Sequence, residues 1–182
     1  MSKITLIIII LVAVGGYKYF SSSIGFNTTQ EDTLSNKVVS SPYKFQASFH
    51  KEPTLHTTTA KIPVLGRLKN TTYVARDNDF TCTVGVSDYL DVTESIGSLN
   101  DVIESSKNAT IRKLGGEITN SRYIRQDGIK GYEYTLLSKS AWFYKSRVFM
   151  KFNNLYVLSC LYRNNNQFDQ KADDFLDSFF FI

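Results

Sequence analysis

A chain of 182 residues has room for one domain, and 42% hydrophobic with 14% aromatic content suffices for a core without metal or disulfide staples. A formal net charge of +4 is too small to argue for nucleic acid as a partner. The charge is unevenly placed: Lys+Arg against Asp+Glu is 6 to 8 over residues 43–106, 11 to 3 over 107–163, and 1 to 4 over 164–182.

Residues 4–14 form an apolar run behind Lys3, the pattern of an export signal. Ala13 and Gly15 would fit cleavage after Gly15. The apolar character continues through Tyr17, Tyr19 and Phe20, so a retained anchor is the favoured reading. A helix over 4–20 spans roughly 25 Å at ~1.5 Å per residue, near the lower limit for a bilayer. Ile4, Leu6, Ile8, Ile10, Val12, Val14 and Tyr17 would lie in the membrane segment. Residues 21–42, rich in Ser, Thr and Asn, read as a flexible tether. The expected organisation is therefore a signal-anchor or signal peptide over 1–20, a linker over 21–42 and one folded domain over 43–182.

The domain opens with a strand in which Tyr43, Phe45, Ala47 and Phe49 share one face. His50 and His56 fall in the region after it and read as solvated loop histidines. Residues 71–76 and 79–87 predict a hairpin around Asp77-Asn78. A helix follows over 98–114, with Ser98 as N-cap, Asp101 three residues on and Gly115-Gly116 as its stop. Its inward stripe is Leu99, Val102, Ile103, Ser106, Thr110 and Leu114. Strands are expected over 117–126, 129–139, 141–152 and 155–163, with turns at Asp127-Gly128 and Asn153-Asn154. A last helix over 167–178 carries Phe168, Ala172, Phe175, Leu176 and Phe179 as an apolar stripe. Several strands are apolar on both faces, which a sheet covered by helices on both sides requires. The expected architecture is α+β: an antiparallel sheet of about six strands in an α/β/α sandwich.

Phe143, Lys145, Arg147, Phe149 and Lys151 fall on one face of their strand by the period of two. A turn at Asn153-Asn154 would place Tyr156 opposite Lys151 and Tyr162 opposite Lys145. Cations interleaved with aromatics suit an acidic protein surface or anionic lipid headgroups; the plainer alternative is that they keep that sheet face soluble. Cys82 and Cys160 could form one bridge in an oxidising compartment. Nothing local brings such distant strands together, so two buried thiols lead. No zinc spacing, nucleophile elbow, phosphate loop or dinucleotide fingerprint is present, so the sequence reads as non-enzymatic and without a cofactor.

The order of elements resembles the PsbP-like fold, shared by photosystem extrinsic proteins, Mog-type nuclear-transport proteins and DcrB-type bacterial envelope proteins. The landmarks are Phe49 with Pro53, Gly115-Gly116-Glu117-Ile118, Asp127 to Glu133, Asn153 to Leu158, and Phe175 to Phe179. The resemblance, over about 43–182, is nearest the DcrB-type branch. It implies an accessory or binding protein at the bacterial inner membrane, facing the periplasm, with a protein partner, a membrane contact through the N-terminal helix and no nucleic acid. A periplasmic immunity or chaperone-type protein for a secreted toxin is the alternative.

Overall fold

The computed structural model describes residues 36–62, 66–89 and 98–182. The apolar run at 4–14 and the rest of the expected anchor lie outside the described residues. Among the described residues no helix is long and apolar enough to cross a membrane.

Ten strands and two helices make up the described chain, in the order β1 (Asn36–Ser40), β2 (Phe45–Phe49), β3 (Thr54–Ile62), β4 (Gly66–Arg76), β5 (Phe80–Tyr89), α1 (Leu99–Leu114), β6 (Glu117–Gln126), β7 (Ile129–Leu137), β8 (Trp142–Lys151), β9 (Asn154–Arg163), α2 (Asn166–Asp177) and β10 (Phe180–Phe181). The class is α+β. The sheet is not one of six strands: β3-β4-β5-β9-β8-β7-β6 form one antiparallel sheet of seven, and β1-β2-β10 form a second of three.

Two of these strands correct the sequence reading. Residues 36–40, expected in the tether, pair with β2 in register Asn36↔Phe49 to Ser40↔Phe45. Residues 54–62, expected as loop, form β3 along β4. Neither shows an apolar alternation. β3 is a run of threonines, whose branched Cβ favours extended backbone without any core to face.

The larger sheet consists of two runs of consecutive hairpins, β3-β4-β5 and β6-β7-β8-β9. They meet at the seam β5·β9, where Cys82 lies opposite Cys160. Both cysteines are fully buried, their Cα atoms are 4.1 Å apart and their sulfurs are bonded. The seam supplies the approach that the primary sequence hides, and the buried-thiol reading gives way to the bridge.

Two apolar clusters form the core, and adjacent residues of β8 divide between them. Phe149 belongs to the first and Val148 to the second, as the period of two dictates. The first holds Phe45 and Phe49 of β2, Phe175 and Leu176 of α2, and Phe179 and Phe181. The second holds Val102, Ile103 and Ala109 of α1 with Tyr132 and Tyr134 of β7.

α1 begins where expected. The Ser98 Oγ accepts from Asp101 N, and the Asp101 carboxylate accepts from Ser98 N, a reciprocal cap. It ends at Gly115, in the left-handed region (φ 65°), and Gly116 follows at φ 109°. A Cβ on Gly116 would collide with the Leu137 carbonyl oxygen. At the β6–β7 turn Asp127 (φ 49°) and Gly128 (φ 78°) are both left-handed, the geometry of a two-residue hairpin.

Candidate functional site

The strip singled out on β8 and β9 is present, but it faces inward. Phe149, Tyr156 and Tyr162 are buried, and Arg147 is 8% exposed. Lys145 and Lys151 are half-buried. The reading of these residues as an open contact surface is therefore corrected: α2 and the three-stranded sheet lie over them.

The acidic surface that the strip suits is the chain's own last helix. Lys145 Nζ reaches Asp169 at 3.0 Å and Asp173 at 2.8 Å. Tyr162 Oη donates to Asp169 at 2.5 Å. Arg147 donates through Nε to Glu133 at 2.6 Å, through Nη1 to the Leu176 carbonyl at 2.9 Å and through Nη2 to Asp177 at 2.7 Å. A guanidinium on the C-terminal end of a helix satisfies carbonyls that have no partner within the helix and complements the helix dipole. Glu133 is shared, since Arg122 also donates to it at 2.9 Å. Asp173 of α2 thus has a partner on the sheet.

These contacts set the protonation of the clasp. Burial alone would raise the Asp169 carboxyl, yet the hydrogen bonds from Tyr162 and Lys145 hold it below the ordinary carboxylate value. Burial likewise opposes the charge on Lys145, and Asp173 and Asp169 overcome it, keeping its pKa above the usual lysine value.

The aromatic members pack against the termini of the domain. Phe149 stacks on Phe179 with centroids 6.1 Å apart, and Tyr156 Oη donates to the Tyr43 carbonyl at 2.8 Å. Lys151 Nζ lies 4.7 Å from the Phe181 ring centroid. The turn that follows is one residue earlier than expected: Lys151 pairs with Asn154, so Phe152-Asn153 is the loop. Tyr156 lies opposite Phe149 rather than Lys151, and Tyr162 opposite Phe143 rather than Lys145. Phe152 leaves the strand, takes φ 53° and is 88% exposed.

The histidines also differ from expectation. His50 is buried, with its ring centroid 4.9 Å from that of Phe80 and Nε2 3.1 Å from Asp77. His56 belongs to β3. Among the described residues no group of three His, Cys, Asp or Glu is placed to hold a metal ion.

What the sequence reading missed is the far side of each pair: Glu133, Asp169, Asp173 and Asp177. The signal was available, because the excess of cations over 107–163 is answered by the acidic excess over 164–182.

No sequence-family profile and no curated protein matches the chain. Among solved structures, it is similar to the solution structure of cyanobacterial PsbP (CyanoP) from Synechocystis sp. PCC 6803. The TM-score is 0.53 at 14% identity, over 86% of this chain and 98% of that one. A protein of unknown function from Pseudomonas aeruginosa, PA94, a putative regulator, matches at TM-score 0.37 and 10% identity, over 60% of this chain and 84% of that one. At such identities only the architecture carries over. The chain has the PsbP-like fold.

Proposed function

We propose that this chain is a non-enzymatic accessory protein of the bacterial envelope, of the DcrB-type branch of the fold, held at the inner membrane by residues 4–20. Its domain works in the periplasm by contact with another protein. The layering behind this reading is a seven-stranded sheet with one helix against each face. The observation that carries it is the bond between Cys82 and Cys160, fully buried at the seam. Disulfides of that kind persist in oxidising compartments and are rare in the bacterial cytoplasm, which agrees with an export signal at 4–14. The non-enzymatic part rests on the clasp: Lys145 and Arg147, conspicuous cations of the strip, are engaged by the chain's own carboxylates.

Cell fractionation tests the reading. The protein should pellet with membranes, and protease added to spheroplasts should remove the domain. Alkylation of unfolded protein under non-reducing conditions should label neither cysteine. A domain that protease reaches only after the inner membrane is broken, with both thiols alkylated, would sink the proposal. A mature chain beginning at Gly16 in the soluble fraction would keep the compartment and remove the anchor.

A further inference from the structure

The two edges of the seven-stranded sheet are built differently. β6, one edge, carries the charges Glu117, Arg122 and Arg125, and its ladder with β7 shifts register between Ile118 and Asn120. Charges and an irregularity are how natural sheets keep an edge from recruiting another strand. β3, the other edge, has an unbroken ladder and a single charge. Its nine residues pair with β4 without a break, from Thr54↔Val74 to Ile62↔Gly66. It contains no proline, no glycine and no acidic residue, and one basic residue, Lys61, near its end. Among the described residues nothing pairs with its outer side. Thr57, Thr58 and Thr59 are exposed, and Leu55 is 56% exposed. Nine residues give an open backbone edge about 30 Å long.

We infer that β3 is a self-association edge, and that its occupant is β3 of a second copy of this chain. Antiparallel pairing of a strand with itself is two-fold symmetric, the arrangement of most homodimers. Centred on Thr58, the ladder sets Thr58 against its own copy, Thr57 against Thr59, His56 against Ala60 and Leu55 against Lys61. The middle of that ladder is threonine against threonine, a favourable cross-strand pair of β-branched residues. The two copies of Lys61 fall at opposite ends, so no like charges meet. The inference is independent of the compartment in which the protein works.

Position-specific cross-linking of the full chain in mild detergent tests it. Thr58→Cys, treated with a thiol oxidant, should give a disulfide-linked pair at twice the 20.7 kDa of the chain. Ser121→Cys on β6 should give little. The native bridge is fully buried and does not compete. Adding Thr57→Lys and Thr59→Lys crowds four lysines around the axis and should bring the Thr58→Cys yield down to the Ser121→Cys level, with the melting midpoint retained. Equal yields at the two edges would show encounter without pairing and overturn the inference. So would a Thr58→Cys chain that stays at the mass of one copy, the result expected if a foreign strand or residues 1–35 of the same chain occupied the edge.

Discussion

α1 and α2 both pack on β8, and different chemistry holds each of them. α2 lies on an aromatic floor and is tied down by ions: Phe175 meets Phe49 with centroids 5.0 Å apart, and Lys145 and Arg147 reach its carboxylates and the Leu176 carbonyl. α1 offers the sheet two branched aliphatics, an alanine and three hydroxyls. Ser106 and Thr110 bond the Tyr134 Oη at 3.2 and 3.0 Å, and Ser105 is buried beside them. Lys107 pairs with Glu104 inside the helix. One helix is therefore fastened by groups whose charge depends on pH, the other by groups that stay neutral across the acid range. Burial raises the Tyr134 hydroxyl further from ionisation.

Substitutions on each side measure that difference. The largest effect belongs to Phe175→Ala, which should cost about 3–5 kcal/mol as a large aromatic removed from a packed core. Chemical denaturation reads it directly, and an unchanged midpoint would mean that α2 is not docked on β2. Arg147→Met comes next, at about 3 kcal/mol, because Glu133 is left buried with only the exposed Arg122 beside it. Glu133→Gln in the same chain should return part of that loss, and strict additivity would deny that the two act as a pair.

On the α1 side, Tyr134→Phe removes two hydrogen bonds and should cost about 1–2 kcal/mol, by the same amount at pH 3 and pH 7. Lys145→Gln is the smallest at neutral pH, about 1 kcal/mol, since its carboxylate partners are largely solvated. Its pH dependence is the sharper reading. A carboxyl with a depressed folded value contributes stability above its unfolded pKa and loses it as pH falls through the folded one. The gap between wild type and Lys145→Gln should therefore hold above about pH 4 and close below it, in the range of Asp169. A gap that stays constant to pH 2, or a Tyr134→Phe penalty that varies over the same range, would erase the distinction between the helices.

Much of this was legible from local chemistry, and what was not had a common cause. α1 could be placed almost to the residue because its cap, Ser98 to Asp101, and its glycine stop are adjacent in sequence. The Asp127-Gly128 turn is equally local. The β8–β9 turn was missed by one residue because Phe152, a residue without turn preference, takes the left-handed conformation and shifts the turn from Asn153-Asn154 to Phe152-Asn153. β1 and β3 were missed because neither alternates apolar with polar residues: the inward positions of β1 are Asn36, Val38 and Ser40, with Val38 alone apolar, and β3 lies at an edge. The alternation on β8 was right about which residues share a face and silent about what covers it. His50 looked solvated for the same reason, since Phe80 reaches it from another hairpin.

The seam between β5 and β9 has a consequence in time. Every other ladder of the large sheet joins neighbours in sequence, which close short loops and form early. β5 and β9 must find each other across α1 and three intervening strands, so their pairing is the slow search in assembling this sheet. Once Cys82 and Cys160 are joined, that search is confined to partners already held in contact. Refolding of the oxidised chain should outpace that of the reduced chain, while the two hairpin runs on either side gain little.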